Sequence, residues 1–136
     1  MIIRFIFAWI YQCTIVQLRW RGGIILSPTT FSDHRGQFRE CFRQDEFEQH
    51  CGHYPLVQDN LSRSVGGTLR SLHYQRNRPQ GKLVQVISGT IFDVAVDIRP
   101  ASPTYGQWLG CRLNAELGGL ACMDPARLCA RFLCAK

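Results

Sequence analysis

Residues 91–98 read IFDVAVDI, and their alternation decides the fold class. Phe92, Val94, Val96 and Ile98 fall on one face, while Ile91, Asp93, Ala95 and Asp97 fall on the other, the two-residue period of a β-strand. The preceding stretch, Lys82 to Ser88, sets Leu83 and Ile87 against Val84 and Val86, so both of its faces are partly apolar. Ser88-Gly89-Thr90 between the two is a tight-turn signal. These features predict a hairpin buried in the core of a sandwich.

Working outward, the same grammar repeats. A strand over Ile24 to Leu26 stops at Ser27-Pro28, and another, Gln37 to Arg43, follows the turn DHRG at residues 33–36. One short helix is expected at Asp45 to Cys51, where Asp45, Glu46 and Glu48 near its start complement the helix dipole. Arg99-Pro100-Ala101-Ser102-Pro103 reads as a loop before a last strand near Gly106 to Leu113. Short strands separated by turn signals point to an all-β sandwich or barrel rather than to βαβ units.

A length of 136 residues with 46% hydrophobic composition suits one domain. Seven cysteines, an odd number without CxxC spacing, argue against a disulfide framework or a zinc site and for a reducing cytoplasm. The opening MIIRFIFAWI has a short apolar run, too short to span a bilayer, with no small-residue cleavage site before Gln17, Arg19 and Arg21. The net charge of +6 is unevenly placed: Phe31 to Pro100 holds nine Lys/Arg against eight Asp/Glu, and the excess lies in the two ends. No basic stripe with interleaved aromatics crosses the middle, so a nucleic-acid-binding module is poorly supported.

Three clusters carry polar residues at defined spacings: FSDHRGQFRE at residues 31–40, VQDNLSRS at 57–64 and LRSLHYQRNRPQGKLV at 69–84. Together with GTIFDVAVDIRPASPTYGQW at 89–108, they resemble the dTDP-4-dehydrorhamnose 3,5-epimerases of the cupin superfamily, from about Ile24 to Glu116. That resemblance implies a cupin-type jelly-roll β-sandwich with a short connecting helix. It also implies epimerisation of dTDP-4-dehydro-6-deoxy-D-glucose at C3 and C5 for dTDP-L-rhamnose synthesis, in a homodimer that needs no metal and no cofactor. Such chemistry needs a base near neutral pH, a cation to hold the enolate oxygen, an acid on the far side of the sugar and a grip on the diphosphate.

Residue by residue, His73 matches the family's general base, and an imidazole suits that role by its ordinary pKa. Lys82 matches the group that stabilises charge on the C4 oxygen. Arg35, Glu40, Gln58, Asp59, Asn60 and Arg70 match nucleotide-sugar contacts; an arginine fork suits diphosphate oxygens. The bland readings are a core histidine, a solvated strand-end lysine, a plain DHRG loop and turn-capping side chains in QDN. If Leu69 to Gln75 pairs antiparallel with Lys82 to Ser88, Gln75 faces Lys82, and His73 and Lys82 become diagonal neighbours on one face. Arg70 then lies on the opposite face from His73 unless a bulge or a dimer mate intervenes. The metal-binding HxH pair of many cupins is missing, since His73 is followed by Tyr74 and Gln75, and His34, His50 and His53 are scattered.

The resemblance fades after Leu113-Asn114-Ala115-Glu116, where the family continues with a WIPPGFAHGF-like strand and this chain reads LGGLACMDPARLCARFLCAK. Back-translated from Met123 and read one base later, the codons of that tail begin with Trp and can encode the missing motif. The expectation is a single partial cupin domain over 1–136, with a family-like core at 24–116 and an aberrant, frameshifted tail at 117–136. On this reading the tyrosine acid, a second histidine and the aspartate that orients the base are lost with the native C-terminus. The first two dozen residues also lack the family's look. Two alternatives stay open: an inactive fragment that at most binds nucleotide sugar, and a related 3-epimerase or isomerase acting on a 4-keto sugar.

Overall fold

The computed structural model describes residues 14–17, 23–116, 118, 120–123 and 129–135. Ten strands and one helix follow in the order β1 (Thr14–Gln17), β2 (Gly23–Ser27), β3 (Thr30–Asp33), β4 (Gly36–Arg39), α1 (Gln44–Cys51), β5 (Leu69–His73), β6 (Lys82–Gln85), β7 (Thr90–Asp97), β8 (Trp108–Asn114), β9 (Leu120–Met123) and β10 (Cys129–Ala135). They form a four-stranded sheet β1-β2-β9-β6, a second four-stranded sheet β5-β10-β7-β8 and a two-stranded sheet β3-β4. Every pairing is antiparallel.

Two apolar clusters hold the layers. Leu83 of β6 joins Ile24 and Leu26 of β2 against Phe47 of α1, so the helix covers one face of the first sheet. Val84 and Val86 turn the other way and meet Ile91, Cys111 and Leu113 of the second sheet. Leu113 is 2% exposed, and burying a leucine fully stabilises by about 1.5–3 kcal/mol. The apolar residues on both faces of β6 are thereby explained, Leu83 meeting α1 and Val84 the opposing sheet, whereas Ile87 beyond the strand is exposed.

This placement overturns the expected hairpin. β6 pairs with β9 and β7 pairs with β8 and β10, so Ser88-Gly89-Thr90 is a corner between sheets rather than a hairpin turn. Gly89 has φ 81°, a left-handed value that glycine adopts without a Cβ clash, and its carbonyl accepts the Ala115 N–H at 3.2 Å. A turn signal marks where the chain reverses, but a strand that is apolar on both faces can be followed by a partner in its own sheet or in the sheet above it. The expected pairing of Leu69 to Gln75 with Lys82 to Ser88 also fails, because β5 and β6 lie in different sheets.

The expected strand Gln37 to Arg43 ends early, at Arg39, and Lys82 to Ser88 ends at Gln85, whereas β2, α1, β7 and β8 agree with the sequence within a residue or two. DHRG is the turn between β3 and β4, and α1 carries Asp45 and Glu46 in its first turn. Its N-cap, Arg43, makes no side-chain capping bond; the guanidinium instead reaches Asp45 at 2.7 Å and Glu46 at 2.6 Å. Arg39 of β4 ties the hairpin to the body, donating to the carbonyls of Ala115 at 3.1 Å and Glu116 at 3.0 Å and to Thr30 Oγ1 at 2.8 Å. The turn beyond β8 closes around that guanidinium: a Cβ on Gly118, whose φ is 62°, would lie 2.1 Å from Arg39 Nη1.

Residues 120–123 and 129–135, which the sequence assigns to the aberrant tail, take interior positions. β9 lies between β2 and β6, and β10 lies between β5 and β7. Ladder hydrogen bonds use main-chain groups, so these positions can be filled by a segment whose side chains differ from the family pattern.

β7 and β8 are joined by a loop built on Asp97, a buried carboxylate. Its Oδ1 accepts the Arg99 N–H at 3.0 Å and Nε at 2.8 Å. Its Oδ2 accepts Arg99 Nη2, Ser102 Oγ at 2.6 Å and Thr104 Oγ1 at 2.7 Å. The Asp97 main chain closes the loop base, with Gly106 donating to its carbonyl at 2.8 Å and its own N–H reaching Gln107 at 2.9 Å. Asp93 is buried on the same face of β7. The face of IFDVAVDI that carries aspartates therefore points inward, while Phe92 is 39% exposed.

Candidate active site

β5 places His73 at its last residue, and β6 places Lys82 at its first. Although the two strands belong to different sheets, Lys82 Nζ comes within 3.4 Å of His73 Nε2. The proximity expected from sequence is present, and the route to it is different. The strand ends converge across the gap between the sheets rather than as diagonal neighbours within one ladder.

The imidazole is oriented by its own strand. His73 Nδ1 lies 3.0 Å from the Ser71 carbonyl, which can only accept, so Nδ1 carries the proton. In the neutral ring, Nε2 then holds the lone pair, and that nitrogen faces the Lys82 ammonium. His73 is exposed and Lys82 half-buried, so a small molecule can reach both. A basic nitrogen beside a cation matches the needs of proton removal from a carbon next to a carbonyl: one group takes the proton and the other holds the oxygen where charge collects.

Arg70, three residues before His73 on β5, lies at an irregularity that sequence alone left open. In the β5–β10 ladder, His73 pairs with residue 131 and Arg70 with residue 133, so three steps along β5 match two along β10. The extra residue marks a register shift, the kind of irregularity by which a strand departs from strict two-residue alternation between Arg70 and His73. Arg70 Nη2 donates to Ser64 Oγ at 2.9 Å and Ser62 Oγ at 3.3 Å. Both serines lie in the VQDNLSRS cluster, but they were not singled out from sequence. Their one signal is the SxS spacing, which in an extended segment turns both hydroxyls to one side.

Gln58, Asp59 and Asn60 lie exposed in the irregular segment between α1 and β5, where Gln58 Nε2 donates to Asn60 Oδ1 at 3.2 Å. Arg35 sits at the tip of the β3–β4 hairpin, bound to Asp33 through Nε at 3.0 Å and Nη2 at 2.6 Å. This guanidinium holds the Asp33 carboxyl below its ordinary pKa. Glu40 lines a groove with Leu26, Phe47, His50 and Leu83. Its Oε2 is enclosed without a hydrogen bond, and Arg43 Nη1 is 3.9 Å away. The sequence-derived residues thus divide: His73 and Lys82 meet at the ends of β5 and β6, Arg70 on β5 rests on Ser62 and Ser64, Arg35 is bound to Asp33, and Glu40 lines the groove near Arg43. Among the described residues, no three His, Cys, Asp or Glu side chains form a metal-binding group, and no helix is long and apolar enough to cross a membrane.

Comparisons with known proteins bear on this arrangement. The family model for dTDP-4-dehydrorhamnose 3,5-epimerase matches residues 17–121. The enzyme of that name from Pseudomonas aeruginosa is 55% identical over 94 residues, covering 68% of this chain and 52% of the relative. The one from Methanothermobacter thermautotrophicus is 54% identical over 95 residues, covering 70% of this chain and 51% of the relative. This chain spans about half the length of these curated relatives. Among solved structures, dTDP-6-deoxy-D-glucose-3,5-epimerase from Legionella pneumophila in complex with dTDP-4-keto-L-rhamnose superposes with a TM-score of 0.82 at 39% identity, covering 90% of this chain and 70% of that one. The two-sheet sandwich is thus the cupin-type jelly roll of these epimerases. With motifs, fold and strand-end geometry in agreement, the chain belongs to the dTDP-4-dehydrorhamnose 3,5-epimerase family.

Proposed function

We propose that this chain acts as a dTDP-4-dehydrorhamnose 3,5-epimerase, with His73 as the base and Lys82 as the enolate stabiliser. The observation that carries the reading is the 3.4 Å approach of Lys82 Nζ to His73 Nε2, with the Nδ1 proton given to the Ser71 carbonyl. In the reaction, Nε2 removes the proton from C5 and then from C3 of dTDP-4-dehydro-6-deoxy-D-glucose. The electron pair moves onto the C4 oxygen, where Lys82 meets it; water on the far side of the sugar gives the returning proton in place of the family's tyrosine, and the proton on His73 passes to solvent. The dTDP-sugar found in the Legionella pneumophila relative supports this substrate class. Arg35, Glu40, Gln58, Asp59, Asn60 and Arg70 are the proposed nucleotide-sugar contacts. The setting is cytoplasmic, the assembly a homodimer, and the product feeds surface polysaccharide such as lipopolysaccharide O-antigen.

A second reading is a chain that binds nucleotide sugar without completing epimerisation. It is favoured by the tail, because codons for residues 123–132 can encode the family's WIPPGFAHGF motif one base later and the family match stops at residue 121. One experiment separates the two readings: deuterium incorporation at C3 and C5 of the substrate in heavy water, for this chain and for a frame-restored version. Exchange by this chain supports the first reading, exchange by the restored version alone supports the second, and silence from both sinks the epimerase assignment.

A further inference from the structure

The tip of the β3–β4 hairpin contains an ordered ion pair in an exposed place, and this ordering is unusual enough to ask what it does. Asp33 precedes a two-residue turn, His34-Arg35, and lies opposite Gly36 in the ladder. The carboxylate engages Arg35 three times: Oδ1 accepts the Arg35 main-chain N–H at 2.8 Å, and Oδ2 accepts Nε at 3.0 Å and Nη2 at 2.6 Å. The Arg35 side chain is nonetheless 79% exposed.

A guanidinium has five N–H donors in a planar fork, and Asp33 occupies only the Nε edge. The outer edge, formed by Nη1 and the second Nη2 hydrogen, stays open and has the spacing for two oxygens of a phosphate. Asp33 therefore does not compete with an anion for Arg35. It fixes the plane of the fork and points the open edge outward, removing rotamer freedom that an unrestrained arginine would lose on binding.

We propose that Asp33 is a positioning residue for Arg35 that presents the outer edge of its guanidinium to the diphosphate of the nucleotide sugar. This inference rests on the reading of Arg35 as a nucleotide contact.

The test is calorimetric titration of the full chain with thymidine diphosphate, together with thermal melting, for the unaltered protein, Asp33→Asn, Arg35→Ala and the double variant. Asparagine keeps an oxygen for the Arg35 main-chain N–H, so the turn survives while the charge and the Oδ2 acceptor are lost. Asp33→Asn is expected to weaken binding about two- to fivefold without shifting the melt, the range of an exposed ion pair. The double variant is expected to bind no more weakly than Arg35→Ala alone, because the carboxylate acts only through that guanidinium. Unchanged or tighter binding by Asp33→Asn, or losses that add in the double variant, overturns the positioning role. A normal affinity in Arg35→Ala, or no binding by the unaltered chain, instead overturns the assignment of Arg35 as a nucleotide contact, and the proposal with it.

Discussion

The Asp97 loop and the His73–Lys82 pair are both polar clusters on strand ends of the same sandwich, and they are built in opposite ways. Asp97 is 1% exposed, and its two carboxylate oxygens take five bonds from Arg99, Ser102 and Thr104. Arg99, the strongest of these partners, holds the Asp97 carboxyl well below the usual carboxylate range despite the opposing cost of burial. His73 is exposed, spends one ring nitrogen on the Ser71 carbonyl and leaves the other facing Lys82 across a long contact. A cluster whose valences are all filled can only hold structure. A cluster with an open lone pair beside a cation has something to give a substrate.

The sharpest way to break this comparison is to remove the open lone pair. His73→Asn should lower solvent deuterium incorporation into the 4-keto sugar by about 10²–10⁴-fold, the usual range for a general base, while the melting temperature stays put. A comparable fall in melting temperature would place His73 with the structural groups instead. Lys82→Met should follow with a loss of about 10²–10³-fold in exchange, measured by mass spectrometry of recovered sugar, as for removal of an oxyanion donor.

On the other side of the comparison, Asp97→Ala leaves Arg99 and two hydroxyls without their acceptor. It should lower unfolding free energy by about 3 kcal/mol in urea titration, the cost of orphaning a partly buried charge. Thr104→Val should cost about 1 kcal/mol by the same measurement, the worth of one hydrogen bond. The smallest effect is the pH dependence. A carboxylate whose folded pKa is depressed contributes stability that is present above its unfolded value, about 4, and is lost as pH falls toward the folded value. Unfolding free energy should therefore decline on acidification below about pH 4, and Asp97→Asn should flatten that slope.

The candidate site residues were nameable before the fold was. His73, Lys82 and Arg70 stand in one motif, and their chemistry follows from residue type. The pairing that was expected to bring His73 and Lys82 together was nevertheless the wrong one, because alternation tells a strand which face is apolar and not which sheet it joins. Arg70 shows the complementary gap. Two-residue periodicity put it opposite His73, and the register shift found between them depends on how β5 is paired to β10, which Leu69 to His73 do not encode by themselves. Ser62 and Ser64 were passed over because a serine in an extended segment has no distinctive signal until an arginine is seen to rest on it.

The sequence by itself determined the all-β class, the short helix and its acidic first turn, the DHRG hairpin and which side chains are proposed as base and cation. These depend on local period, turn chemistry and side-chain type, all of which are carried by neighbouring residues. Only the tertiary structure decided that β6 and β7 part at Gly89 into opposing sheets, that the aspartate face of β7 points inward and that residues 120–123 and 129–135 fill interior strand positions. It also decided that Arg70 rests on Ser62 and Ser64. Each of these is a choice of partner for an element whose own pattern permits more than one. The choice is made by which apolar faces can be buried together, and that is a property of the whole chain.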